Sequence, residues 1–107
     1  MRIAYETNCD EQKYLELLRE RAQLCCVVLD TVRHIIKRNI EKGLLPNYCD
    51  GGVELDKQYC TMGITGLYEV IESFGYTEKD EFGYISYTDK GMEFASKIFE
   101  VLNDVKD

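Results

Sequence analysis

The stretch TMGITGLYE, Thr61 to Glu69, carries the residue types and spacing that come nearest to chemistry in this sequence. A strand-like run that passes through glycines into a helix can present backbone N–H groups to an anion. Gly63 and Gly66 would let a phosphate approach the N-terminus of a helix starting near Leu67. The spacing G-x-x-G is shorter than a nucleotide fingerprint, and the lysine of a P-loop is absent. The same two glycines also read as a tight strand-to-helix connection, where glycine permits a backbone angle or a close packing that a side chain would block. Glu69 has the carboxylate of a general acid or base, and it equally complements a helix dipole from the first turn.

The other reactive side chains offer less. The five cysteines are Cys9, Cys25, Cys26, Cys49 and Cys60. Their number is odd and no C-x-x-C occurs, which suggests neither a disulfide framework nor a zinc site. Cys25 and Cys26 are neighbours on a helix and point about 100° apart, so they cannot form an ordinary bridge. Buried free thiols in a reducing cytosol are the expectation. His34, the single histidine, lies on a helix without a partner motif. No catalytic and no metal-ligating residue is assigned.

Charge and composition narrow the classes. The formal charge is −7, from 20 acidic and 13 basic residues. An acidic surface repels phosphate backbones, so nucleic acid is not an expected partner. With 107 residues, 45% hydrophobic and 11% aromatic, the chain can fill the core of one domain or of one piece of a larger domain. A single proline and eight glycines exclude a linker or a disordered tail. No apolar run is long enough to span a bilayer, and MRIAYETNCDEQ lacks the pattern of a signal peptide. A cytoplasmic protein without a membrane partner is expected.

The elements that would position these residues read as an α+β class. MRIAY (1–5) resembles the stub of a strand. Asn8 and Asp10 are N-cap types, with Glu11 three residues after Asn8 as in a capping box. From 11 to 42 the pattern is helical: Leu15, Leu18, Ala22, Cys25, Leu29, Val32 and Ile36 alternate steps of three and four. Tyr14, Leu17, Leu24, Val28 and Ile35 widen that stripe. Unbroken, such a helix extends about 48 Å and needs a large apolar surface to lie on. Gly43 suits the position after its end, and Pro46 prevents its resumption. Asp50-Gly51-Gly52 signals a turn into a short, hairpin-like β element over 53–64. Leu67, Val70, Ile71 and Phe74 then give a helix over 66–74 stopped by Gly75. YTEKDEFG reads as a loop. Ser86 with Asp89 opens a last helix over 87–103, with Met92, Ala95, Ile98, Phe99 and Leu102 on one face.

The order of these pieces resembles the anaerobic (class III, glycyl-radical) ribonucleoside-triphosphate reductases. The similar landmarks are RIAYE (Arg2 to Glu6), YLELLRER (Tyr14 to Arg21), EKGLLPNY (Glu41 to Tyr48), the G-x-x-L-x-K-x-Y run Gly52 to Tyr59, and TMGITGLYE. The resemblance implies one segment, 1–107, of the α/β barrel of the catalytic domain. In such enzymes TMGITGLYE looks like a barrel strand turning into its helix, and Gly63, Thr65 and Gly66 then either lie near substrate phosphate or only shape the barrel. It further implies removal of the ribose 2′-hydroxyl by glycyl and thiyl radical chemistry, with structural zinc and nucleotide effectors in the parent. The glycyl radical would come from a partner activase that uses S-adenosylmethionine. The family's thiyl cysteine would fall upstream of Met1, and its radical glycine and zinc cysteines downstream of Asp107. None of the five cysteines matches a reactive family position, so the segment alone is expected to be inactive. Missing neighbours in the barrel would leave an apolar face that makes the isolated segment self-associate.

Two readings of other classes compete. GYISYTDKGMEFASKIF also looks like the wing and last helix of a winged-helix protein. There the recognition helix would be LYEVIESF, whose Glu69 and Glu72 are the wrong charge for a major groove, leaving only protein contacts. A small adaptor docking through the long helix is the other.

Overall fold

The computed structural model describes residues 2–106. The elements in chain order are α1 (Arg2–Glu6), α2 (Glu11–Glu41), α3 (Pro46–Cys49), a 3-10 turn (Leu55–Lys57), α4 (Leu67–Ser73), β1 (Thr77–Lys79), β2 (Ile85–Tyr87) and α5 (Asp89–Lys106). The class is α+β: mostly helical, with one two-stranded antiparallel sheet. The chain divides into two compact units, Met1–Gln23 with Ile64–Asp107, and Leu24–Gly63. The division falls inside α2. No helix among the described residues is long and apolar enough to cross a membrane.

The first unit holds the core. Ala4, Tyr14, Val70, Ile71, Phe94, Ala95 and Ile98 are buried together, with Ile71 at 0% and Phe94 at 1% exposure. Phe94 is the hub of the aromatic contacts, 4.6 Å from Phe74, 5.5 Å from Tyr14 and 5.9 Å from Tyr76 between ring centroids. Contacts of this kind are worth about 0.5–1.5 kcal/mol each beyond the area they bury. The apolar spacing of α4 and α5 explains this packing, because Val70 and Ile71, and Phe94, Ala95, Ile98 and Val101, recur on one face of each helix.

Several elements of the first unit differ from the sequence reading. The 1–5 stub is not a strand, since Arg2–Glu6 is helical. No partner strand lies beside it among the described residues, and helical geometry sends Ala4 into the core, 1% exposed. The Thr7 hydroxyl donates to the carbonyls of Ile3 and Ala4, and Asn8 and Cys9 take left-handed angles that end this short helix. Asn8 therefore caps nothing. The N-cap of α2 is Asp10, whose carboxylate accepts the Lys13 N–H at 3.1 Å. YTEKDEFG is no loop but the first arm and turn of a hairpin, paired Thr77↔Tyr87, Glu78↔Ser86 and Lys79↔Ile85. Its turn is organised by Asp80, whose Oδ1 accepts the N–H groups of Phe82 and Tyr84. Ser86 belongs to β2, and Thr88 opens α5 in its place. The Thr88 hydroxyl donates to the Tyr76 carbonyl and accepts the Gly91 N–H. The helix ends at 41 and 73 follow the sequence closely. Gly43 and Gly75, both with positive φ, sit where the following N–H groups turn back onto the last carbonyls.

The second unit is built differently. Among its described residues none is buried. Val27, Val28, Val32 and Ile35 of α2 are exposed, together with Leu24 and Leu44. Pro46 does not merely block a helix; it sits at the first position of α3, where its missing N–H costs nothing. Asp50-Gly51-Gly52 then terminates α3 and joins no strands. The expected β element over 53–64 is absent: Leu55–Lys57 is a 3-10 turn and the residues after it run without a ladder. Turn chemistry was present, but no second strand exists there to pair with.

Candidate functional site

The candidate residues fall in both units. Gly63 closes the second unit. Thr65 and Gly66 belong to the first, where Gly66 is the residue before α4. The two glycines have different physical reasons. Gly66 has φ 75° and ψ 22°, a left-handed conformation that glycine adopts without a steric penalty. It needs no ligand to explain it, and its carbonyl accepts the first α4 bond, from Val70 N–H at 3.0 Å. Gly63 has no such angle, and a Cβ built on it meets no atom within 4 Å. Among the described residues, neither its conformation nor any neighbour requires glycine there. Both Gly63 and Thr65 are exposed.

Next to these residues, α4 presents Glu69 and Glu72 to solvent and no basic side chain. That surface does not suit a nucleic-acid groove. The Tyr68 hydroxyl donates to Glu72 at 3.3 Å, and its ring stacks on Tyr87 at 6.3 Å. Burial first, then the Glu72 carboxylate, push the Tyr68 phenol above its ordinary 10.0. Tyr68 is thus a hydrogen-bond donor at neutral pH rather than a base.

Gly63 is approached through a segment held by Arg33. The guanidinium donates to the Leu55 carbonyl at 2.6 Å and to the Gln58 carbonyl at 2.9 Å, and lies 3.7 Å from Cys60 Sγ. The Tyr48 hydroxyl donates to Gln58 Oε1 at 2.9 Å. Sequence reasoning passed over Arg33, because its partners are backbone carbonyls more than 20 residues away, and carbonyls leave no trace in residue identity.

The remaining reactive groups are not assembled. All five cysteines are free. They are not buried as expected: Cys9, Cys49 and Cys60 are exposed, and Cys25 and Cys26 half-buried, because their stretch of α2 has no core to enter. His34 is exposed and, among the described residues, pairs only with Asp30, one turn earlier. Among the described residues no three His, Cys, Asp or Glu side chains converge on a metal position. These residues do not fit a structural zinc.

The family model described as anaerobic ribonucleoside-triphosphate reductase matches residues 1–107. No curated protein matches the chain. Among solved structures, the anaerobic ribonucleotide reductase of Thermotoga maritima, in complex with dATP and CTP, is 41% identical with a TM-score of 0.91. The similarity covers 96% of this chain and 17% of that one. The same enzyme with MES in its active site gives 41% and 0.90, and with citrate 41% and 0.91. This chain therefore spans about a sixth to a fifth of the length of the reductases it matches. A match over the whole chain, at this identity and with this agreement of backbone, makes the chain a member of the anaerobic ribonucleoside-triphosphate reductase family.

Proposed function

We propose that the chain acts as part of an anaerobic ribonucleoside-triphosphate reductase, an oxidoreductase that removes the ribose 2′-hydroxyl to make deoxyribonucleotides for DNA replication in the cytoplasm. The observation that carries this reading is the family match over residues 1–107 together with 41% identity to a solved reductase. In the parent, glycyl and thiyl radicals supply the hydrogen-atom chemistry, a radical S-adenosylmethionine activase installs the glycyl radical, and formate or a dithiol is the reductant. Zinc and the nucleotide effectors are assigned to the rest of that parent. The segment itself contributes part of the barrel wall and no catalytic side chain.

Within it, Gly63 is the residue we place beside substrate phosphate, with Thr65 and Gly66 adjacent in sequence. Support comes from the exposed position of Gly63, its ordinary φ and the open space where a Cβ would stand. A glycine that its own chain does not require is accounted for by something else that approaches its backbone. The test is Gly63→Ala in the whole reductase. The added methyl is expected to raise the ribonucleotide KM about tenfold with kcat nearly unchanged, the pattern of lost ground-state binding. An unchanged KM in a normally folded enzyme removes Gly63 from the phosphate. The 107-residue chain, supplied with activase, nucleotide and reductant, is expected to form no deoxyribonucleotide, and product formation would overturn its assignment as an inactive segment.

A further inference from the structure

We propose that Arg33 is a positioning residue, a two-pronged clamp that fixes the backbone leading to Gly63. The proposal rests on the reading of Gly63 given above. Between Leu55 and Gly63 the only regular structure is the turn Leu55–Lys57, closed by Lys57 N–H to Glu54 O and Gln58 N–H to Leu55 O, each 3.1 Å. Three residues of 3-10 helix make a weak anchor. Among the described residues no strand pairs with residues 58–63, and Gln58, Tyr59 and Cys60 are exposed, Tyr59 at 94%. Apart from the Tyr48 hydroxyl on the Gln58 side chain and the half-buried Met62, such a segment has little packing of its own to set its direction.

Arg33 supplies the missing restraint. It is half-buried on α2, the longest element of the chain, and one prong of its fork takes the Leu55 carbonyl while the other takes the Gln58 carbonyl. The two acceptors lie at the two ends of the turn, so both ends are fixed to one rigid group. Among the described residues no carboxylate pairs with Arg33, whereas Arg19, Arg21 and Lys57 each have one and Lys97 has two. Its charge is therefore directed to the two carbonyls, as charge-assisted hydrogen bonds. A planar guanidinium holds two acceptors in a set geometry, and a lysine ammonium, a point charge on a flexible stem, does not.

Two measurements decide the matter. In the 107-residue chain, Arg33→Met should speed amide exchange at Lys57 and Gln58 more than about tenfold while the α4 amides Val70 and Phe74 keep their rates. In the whole reductase, Arg33→Met should raise the ribonucleotide KM about tenfold, and Arg33→Lys should restore it only in part. Loss of folded enzyme would lower kcat and leave KM alone, so the two causes separate. Unchanged exchange at Lys57 and Gln58, or an unchanged KM in Arg33→Met, overturns the proposal. Gly63→Ala monitors the underlying reading: if it leaves KM unchanged while Arg33→Met raises it, Gly63 leaves the phosphate site and Arg33 keeps its positioning role.

Discussion

Lys97 joins residues that the sequence keeps far apart. Its Nζ donates to Glu11 at 3.0 Å and pairs with Glu93 at 3.2 Å, while the Tyr76 hydroxyl donates to the other Glu11 oxygen at 3.2 Å. The hydrogen bond to Glu11, then that to Glu93, raise the Lys97 pKa above its ordinary 10.5. Burial, then the Glu11 hydrogen bond, raise Tyr76 above 10.0. Both shifts have one sign. A group whose folded pKa is raised adds stability that is complete below its unfolded pKa and is lost as pH climbs through the folded value. The melting temperature is therefore expected to hold through neutral pH and fall from about pH 10 upward. Lys97→Met should flatten part of that alkaline fall, and melting curves across pH 7 to about 11 read it directly. An alkaline decline identical in both proteins would remove Lys97 from this account. None of this was legible beforehand: Glu11 reads as a helix-start residue, and its partner stands 86 positions later.

For the helices, periodicity carried most of the information. The apolar steps gave α2, α4 and α5 to within two or three residues, and Gly43 and Gly75 gave two of their ends. The hairpin was hidden because its arms, Thr-Glu-Lys and Ile-Ser-Tyr, are three residues each and mostly exposed, too short to show alternation. Gly91 shows how packing overrides propensity. Within a helix alanine is favoured over glycine by up to about 1 kcal/mol, and Gly91 stands in the first turn of α5. Yet a Cβ at Gly91 would lie 2.5 Å from the Tyr76 carbonyl oxygen and 3.1 Å from Ile71 Cγ2. Backbone cannot swing aside as a side chain does, so overpacking of about 1–3 kcal/mol outweighs propensity. Gly91→Ala is expected to be less stable in urea by that difference. A more stable variant would mean that α5 shifts freely against Tyr76.

At the scale of the whole molecule, the described residues hold one core, in the first unit, and an apolar surface on the second. Leu24, Val27, Val28, Val32 and Ile35 of α2 are between 43% and 62% exposed. Apolar side chains clustered on one helix mark an interaction face. We propose that the rest of the parent reductase covers it, and that the 107-residue chain on its own self-associates through it. Light scattering should show a mass that grows with concentration, and Val28→Asp with Val32→Asp should return it to the monomer. A monodisperse monomer for the unaltered chain at high concentration would contradict this. Membership of the reductase family was legible from motif order alone, because TMGITGLYE and its companions are specific strings. The physical reading of Gly63 and Gly66 was not, since one glycine is explained by its own backbone angle and the other is not.

By itself, then, the sequence determined α2, α4 and α5 and their stops, because spacing of apolar residues and glycine placement are local properties written residue by residue, and its motif strings carried the resemblance to the family. Only the tertiary structure decided that RIAYE is helical, that residues 53–64 form no strand, and that Arg33 reaches the backbone before Gly63. Each of these depends on what lies opposite. A strand exists only where a second strand accepts its hydrogen bonds, and a guanidinium finds a carbonyl only when the chain has folded back to bring one within 3 Å.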